Sequence, residues 1–352
     1  MRQFVYAGLP SRVVFGAGSI ARLAAEVDLI GARRALVLST PGRSASVRGL
    51  AAGLGERLAG FYGGAVMHVP VEVAADARRV AQQLGADCCI AVGGGSTIGL
   101  GKAIALTSGM AVIAVPTTYS GSEMTAILGL TEGGIKKTQR DPAVLPKTVL
   151  YDPELTLGLA PGTSAASGMN AIAHCVEALY AHDGNPVSAL LAEEGIRTLA
   201  AALPRVVADP RDLEARSEAL YGAWLAGASF AAVSLGLHHK LCHVLGGSFN
   251  LPHAETHSIV LPHAARYNRD AAPEAMARIA RALGAADAPG ALYDLEAGLG
   301  LKMKLGDIGM PADGLARAAR IATESPYPNP RPVIRDEVLK LLEDAYQGRR
   351  PS

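Results

Sequence analysis

Cys88-Cys-Ile-Ala-Val-Gly-Gly-Gly-Ser-Thr97 places five apolar residues ahead of three glycines and two hydroxyl side chains, and runs directly into the helix-like stretch Ile98 to Leu106. A continuous apolar run of this length, without polar alternation, predicts a strand covered on both faces. The glycines predict a tight turn at its carboxyl end, with a helix opening straight after it. The same rhythm recurs on either side. Ala35-Leu-Val-Leu-Ser39 precedes Thr40-Pro-Gly-Arg43, and Ala111-Val-Ile-Ala-Val115 precedes Pro116-Thr-Thr-Tyr-Ser-Gly121. Val66-Met-His-Val69 reads as a further strand ahead of a helical pattern from Ala74 to Leu84. Two more candidate strands follow at Thr125 to Leu130 and Thr148 to Tyr151. Strands alternating with helices describe an α/β domain on a parallel, Rossmann-like sheet.

The texture changes after Asp152-Pro153. Ala/Leu/Glu/Arg segments dominate to the end, and prolines at 186, 204, 252, 262, 273 and 289 are expected at helix joints. The expected organisation is an α/β dinucleotide-binding domain over residues 1–157 and an all-α domain over 158–352. The Pro-rich segment Ser325 to Pro332 reads as an ordered surface connection. The length of 352 residues fits two domains of about 150 residues each. A hydrophobic share of 49% excludes disorder as a whole-chain state. The 33 Lys+Arg against 32 Asp+Glu leave +1, which argues against nucleic acid or an anionic membrane as a partner. No stretch reaches the roughly 18 apolar residues of a membrane span. The N-terminus also lacks a secretory pattern, so a soluble, cytoplasmic protein is expected. Cysteines at 88, 89, 175 and 242 lack CxxC spacing and read as free buried thiols.

Two glycine clusters compete for a dinucleotide. Gly16-Ala-Gly18-Ser-Ile-Ala21, after Val13-Val-Phe15, matches G-x-G-x-x-A. That fingerprint expects an acid closing the second strand, to hold the ribose hydroxyls. Here the strand closes on Ser39 and Thr40. The alternative is a turn that merely opens a helix. Gly93, Gly94 and Gly95, with Ser96 and Thr97, are better placed. Glycines let a pyrophosphate approach the backbone, and the helix N-terminus presents N–H groups to its charge. Thr117, Thr118 and Ser120 add donors at the end of the next strand, where open α/β sheets bind ligands. These residues, with Ser39 and Thr40, are the candidate cofactor contacts; a plain tight turn is the competing reading. The spacing around Lys102 does not make a P-loop.

The helical half holds His174, His182, His238, His239, His243, His253, His257 and His263. His239 and His243 are four apart in Leu237-His-His-Lys-Leu-Cys-His-Val-Leu245, and so are Asn170 and His174 in Gly168-Met-Asn-Ala-Ile-Ala-His174. That spacing puts each pair on one helix face. Repeated pairs inside apolar segments predict a shared polar pocket, although a single histidine is more often structural.

These blocks together carry a resemblance. Gly93-Gly-Gly-Ser96, Pro116-Thr-Thr-Tyr-Ser-Gly-Ser-Glu123, Gly168-Met-Asn-Ala-Ile-Ala-His174, His239-Lys-Leu-Cys-His-Val-Leu-Gly-Gly247 and Leu251-Pro-His253 resemble the iron-containing alcohol dehydrogenase superfamily, whose fold is dehydroquinate synthase-like. The resemblance implies NAD(P) at the triple glycine and the Pro-Thr-Thr turn. It implies metal-ligand positions at Asn170, His174, His239 and His253, with a catalytic histidine at His243. Asn170 departs from the family pattern, which has Asp there. A hard divalent ion favours carboxylate oxygen. The amide removes the anionic ligand, so no metal is expected, although three histidines could still hold zinc.

Together with Thr131-Glu-Gly-Gly-Ile-Lys-Lys-Thr138 and Ser248-Phe-Asn-Leu-Pro-His-Ala-Glu-Thr-His257, that departure is similar to the family's metal-independent branch, the maleylacetate reductases of bacterial aromatic degradation. The implied reaction, in a cleft between the domains, adds hydride from NADH or NADPH to the C=C bond of maleylacetate, giving 3-oxoadipate. His243, His253, His239, His174 and Lys240 are the candidate catalytic residues, with no ranking among the histidines. A small dicarboxylate needs cations, and Lys136, Lys137, Arg140, Lys147 and Lys240 are the candidates. The family is commonly dimeric, and Arg2 to Tyr6 is a candidate edge strand exchanged in a homodimer. Two alternatives remain: a metal-dependent alcohol or polyol dehydrogenase on this fold, and a dehydroquinate-synthase-like lyase.

Overall fold

The computed structural model describes Phe4, Tyr6, Gly8, Leu9, residues 11–133 and residues 135–351, apart from the side chains of Ile135 and Lys136. Of the candidate edge strand, Arg2, Gln3 and Val5 lie outside the described residues, as does the Lys136 side chain. The chain divides into two compact units: Leu9–Leu159, and Ala160–Ser352 joined by Met1–Gly8.

The first unit carries strands β1 Arg12–Phe15, β2 Ala35–Leu38, β3 Leu58–Tyr62, β4 Cys88–Gly93, β5 Ala111–Pro116, β6 Ile127–Glu132, β7 Ile135–Arg140 and β8 Thr148–Tyr151. Among the described residues, six of them form one sheet in the order β1-β8-β5-β4-β2-β3, every pair parallel. Helices α1 Leu23–Leu29, α2 Ser44–Ala51, α3 Val71–Gln83 and α4 Gly95–Ser108 connect them. Each residue of β4 is buried. Its Cys88, Ile90 and Val92 pack with Val37, Ile113, Val115 and Leu150 against Leu23, Val27 and Val47 of the covering helices. On the other face the small residues let α4 approach: a side chain on Gly101 would stand 3.3 Å from Val112 and 3.4 Å from Ala91. Two-faced burial is why these strands read as unbroken apolar runs.

The chain leaves β2 towards β3 on one side and β4 towards β5 on the other. The carboxyl ends of β2 and β4 therefore flank the point where the winding reverses, where open sheets leave a crevice.

Three expectations need correction. The strand expected at Val66–Val69 is β3, at Leu58–Tyr62; His68 and Val69 have φ of 66° and 46°, which no strand tolerates. The segment Thr125 to Leu130 does not extend the parallel sheet. It supplies β6, which pairs antiparallel with the unforeseen β7 in a separate hairpin. Pro204 and Pro262 do not mark joints but lie inside helices.

The second unit is helical: α5 Pro161–Tyr180, α6 Pro186–Ala208, α7 Leu213–Ala231, α8 Leu237–Phe249, α9 His253–Asn268, α10 Pro273–Ala282, α11 Ala288–Gly298, α12 Leu315–Ala322 and α13 Arg335–Gln347. Helix α5 is central, buried without interruption from Ser164 to Ala178. Small residues allow this, since Gly168 faces Leu203 of α6 and Gly195 faces Cys175. Leu237, Leu241 and Leu245 of α8 pack with Ile259 and Val260 of α9 and Leu342 of α13 in a second core. The four cysteines are free and buried. Among the described residues no helix is long and apolar enough to cross a membrane.

Candidate active site

The histidines converge within the helical unit. Asn170, His174 and Glu177 line one face of α5, at successive turns. Because that helix is central, all three are buried. Glu177 reaches the start of α8 and caps it: Gly236 N donates to Oε2 at 3.0 Å and His238 N to Oε1 at 2.9 Å. The same Oε2 lies 2.7 Å from His239 Nδ1. His238 Nε2 donates to the His257 carbonyl at 3.0 Å, tying α8 to α9. Ring centroids stand 5.2 Å apart for His174 and His239, 4.8 Å for His239 and His257, and 4.3 Å for His253 and His257. Phe230 of α7 stacks on His174 at 4.3 Å and on His239 at 4.8 Å. His243 lies one turn along α8, 6.2 Å from His239.

Burial divides the cluster. His174, His238, His239 and His257 are buried, whereas His243 and His253 are half-buried. Burial holds His174 and His257 well below the usual histidine value, and neighbouring imidazoles push the same way. Burial lowers His238 too, against the raising pull of Glu177 and the His257 carbonyl. Burial likewise raises the Glu177 carboxyl, opposed by His238 and by the backbone N–H groups it accepts. His174, His238 and His257 are therefore held towards the neutral form near pH 7.

The glycine turn of the first unit has the build of a phosphate cradle. Gly93 has φ of 157°, and a side chain there would stand 2.5 Å from Thr97 Oγ1. One on Gly94 would stand 2.9 Å from Thr118 Oγ1. Helix α4 begins at Gly95, so its leading N–H groups face the same turn. Thr97 Oγ1 is buried there without a hydrogen-bond partner. The parallel order sets Ser39 and Thr40 beside this turn on one flank and Thr117 and Thr118 on the other, with Thr117 N donating to Gly93 O at 3.0 Å. Ser39 Oγ meets Ser44 Oγ at 3.3 Å. Ser120 Oγ donates to buried Glu123 at 3.1 Å, as does Tyr151 OH at 2.9 Å. A dinucleotide pyrophosphate fits a turn that any Cβ would fill. The rival cluster is occupied from within. Gly18 N and Ile20 N donate to Asp152 at 3.1 and 3.0 Å, so this turn holds a carboxylate of its own chain and opens a helix.

Comparison with known proteins follows the same division. Residues 10–153 match the iron-containing alcohol dehydrogenase family, and residues 164–346 match the C-terminal domain of the Fe-containing alcohol dehydrogenase family. The chain belongs to the iron-containing alcohol dehydrogenase family. Within that family it is 58% identical to a maleylacetate reductase of Burkholderia cepacia, over 100% of both chains. It is 56% identical to one from Sphingobium indicum, over 99% of each. The crystal structure of maleylacetate reductase from Agrobacterium tumefaciens superposes with a TM-score of 0.96 at 50% identity, covering 100% of both chains.

An iron-containing alcohol dehydrogenase is expected to hold a divalent ion, and the donor set tests that expectation. Asn170 Oδ1 and His174 Nδ1 are buried without a hydrogen-bond partner among the described residues, and the amide carries no charge. Hard divalent iron finds no carboxylate oxygen among Asn170, His174, His239 and His253 and does not fit this set. Imidazole nitrogens suit zinc better. His238, His239 and His257 each offer one nitrogen within 4.8 Å of the others, but Nε2 of His238 already donates to a carbonyl.

Six of the eight histidines come together; two do not. His182 is exposed beside Asp183 at 3.8 Å. His263 is buried elsewhere on α9, lowered by burial to about 4. Lys240 is half-buried, its Nζ 5.8 Å from the centre of the Tyr327 ring. Lys137 and Arg140 lie exposed on β7, Lys137 paired with Glu132 at 3.2 Å, and Lys147 is exposed ahead of β8. Sequence reasoning missed Glu177, His257 and Phe230 as members of the site. A signal existed for Glu177: it is the single charge in the apolar run Cys175-Val-Glu177-Ala-Leu-Tyr180.

Proposed function

We propose that this chain catalyses the maleylacetate reductase reaction, reducing the C=C bond of maleylacetate to give 3-oxoadipate. The reading rests on one observation above all. Asn170 stands where the family's anionic metal ligand is expected, beside His174 and His257, which burial holds towards the neutral form. An alcohol dehydrogenase needs a Lewis acid to hold a developing alkoxide. Maleylacetate does not, because its double bond is conjugated to its own ketone, and the electron pair that arrives with hydride delocalises as an enolate.

Bound NADH or NADPH supplies the hydride. The chain's residues then have three tasks. Hydrogen bonds must hold the enolate oxygen. A donor must deliver a proton to the carbon next to the ketone, and half-buried His243 is that donor, regaining a proton from solvent afterwards. Cations must meet the two carboxylates, with Lys240 beside the histidines and His253 holding the other end of the substrate. No acid at positions 39 or 40 repels a 2′-phosphate, and Arg43 is near in sequence, so both cofactors serve. The reading also takes the protein as a cytoplasmic homodimer that binds neither nucleic acid nor membrane.

The test is NADH oxidation with maleylacetate, with and without chelator. Turnover is expected to survive chelation, with metal well below one equivalent per chain. His243→Ala is expected to lower kcat by about 10²–10⁴-fold. Unchanged kcat removes His243 from the mechanism. One observation favours a second reading, zinc-dependent alcohol oxidation. The Glu177 carboxylate behind His239 is an arrangement that metal-bound histidines also use. Turnover abolished by chelation and restored by zinc would establish it.

A further inference from the structure

We propose that Glu177 is a positioning residue that fixes His239 as its Nδ1–H tautomer, so that His239 faces the site with a bare Nε2 and serves as an acceptor, never as the acid. The proton donor is then half-buried His243, as proposed above. This deepens the proposed function by dividing the roles of the imidazoles.

Two independent neighbours require the proton at Nδ1. The first is Glu177 itself. Its Oε2 accepts Gly236 N–H, and its Oε1 accepts His238 N–H and, at 3.3 Å, the Tyr180 hydroxyl. A carboxylate that takes donors at both oxygens is held as the acceptor, so the imidazole nitrogen 2.7 Å from Oε2 is the donor. The second neighbour is His238. A carbonyl only accepts, so His238 Nε2 carries the hydrogen it gives to His257 O. The neutral His238 ring therefore has a bare Nδ1, and that atom lies 3.5 Å from His239 Nδ1. A bare nitrogen in that place can face only a donor. Both contacts put the proton of the His239 ring on Nδ1, and in that tautomer Nε2 is the acceptor atom.

The arrangement is also held rigidly. Glu177 stands on α5, the most enclosed helix of its unit, and its carboxylate accepts the backbone N–H groups that open α8. The residue that sets the tautomer is thus also the one that fixes where α8 begins. At metal sites, changing the carboxylate that aims a histidine costs about 10–100-fold, which sets the scale expected here.

The experiment is nitrogen-15 NMR of the full chain labelled at histidine, with His239 assigned by the signals lost in His239→Gln. The wild-type chain is expected to show His239 protonated at Nδ1 and bare at Nε2, before and after dialysis against chelator. The opposite tautomer, or a doubly protonated ring, overturns the proposal. In Glu177→Gln the amide offers a donor in place of an acceptor, and His239 is expected to shift towards the Nε2–H tautomer. With maleylacetate and NADH, kcat is expected to fall about 10–100-fold while both KM values stay within about twofold. A folded Glu177→Gln protein with the wild-type tautomer and wild-type kcat overturns it equally. If that variant fails to fold, the wild-type spectrum still decides. A wild-type chain with the expected tautomer but no turnover of maleylacetate would sink the functional reading and leave the role of Glu177 standing.

Discussion

At position 170 an amide oxygen occupies a buried turn of α5, four residues before His174, and the difference from a carboxylate is a full unit of charge. In a site whose other donors are imidazoles that unit decides whether a hard cation is held. Asn170→Asp is therefore expected to raise bound divalent metal towards one equivalent per chain after growth with iron or zinc. Elemental analysis of the purified variant checks this, and metal content equal to the wild type would show that another residue governs it. Asn170, His174, His239 and His243 were legible in advance because helical spacing pairs them locally. The role of Glu177 was not. Its partners Gly236, His238 and His239 lie 59 to 62 residues away, and only the tertiary fold brings the start of α8 within hydrogen-bond distance of α5.

At the scale of the element, one buried side chain ties the start of the β6–β7 hairpin to α4. Lys102, fully buried on α4, donates to the carbonyls of Thr125 at 2.7 Å and Ile127 at 2.9 Å, to Ser122 O at 2.6 Å, and to Thr125 Oγ1 at 3.0 Å. Buried Glu123, three residues before β6 ends its lead-in at Ala126, adds an opposite charge to its surroundings. Lys102→Met leaves those carbonyls without a donor and the carboxylate without its counter-charge. A loss of about 1–3 kcal/mol in unfolding free energy is expected from the unsatisfied acceptors. Denaturant titration measures it, and a change below about 1 kcal/mol would mean the cage contributes no more than an exposed ion pair. The spacing that rules out a phosphate lysine was right, yet nothing local shows what else a buried lysine does. The misplaced third strand has a similar cause. β3 sits at the sheet edge, half-buried throughout, and contains Gly60 because a side chain there would stand 2.6 Å from Leu84. Its apolar signal is weaker than that of Val66–Val69, which spends its hydrophobicity on a turn.

Across the whole molecule, stability carries a pH dependence from a group far from the histidines. Glu296 of α11 is fully buried, neither carboxyl oxygen has a hydrogen-bond partner among the described residues, and burial raises its carboxyl well above the usual value of 4.5. The folded chain therefore keeps a proton that the unfolded chain releases above about pH 4.5, so stability falls as pH rises beyond that point. Its full value is present only below the unfolded-state pKa. Glu296→Gln removes this slope, and guanidinium unfolding at pH 5 and pH 8 should show the variant gaining on the wild type by up to about 1.4 kcal/mol per pH unit. Parallel pH profiles would mean that Glu296 finds a partner. The apolar runs, the glycine turns and the helical spacing of the histidines act over a few residues, so the primary structure alone determined the α/β-then-helical order, the tight turn at Gly93–Gly95 and the shared face of Asn170 and His174. Tertiary structure alone decided which of two glycine turns stays open, because Asp152 reaches Gly18 from 134 residues away. It alone decided which histidines are buried and which carboxylate aims them. Hydrogen bonds at 3 Å are set by how helices and strands pack, and that geometry is not a property of any short stretch of chain.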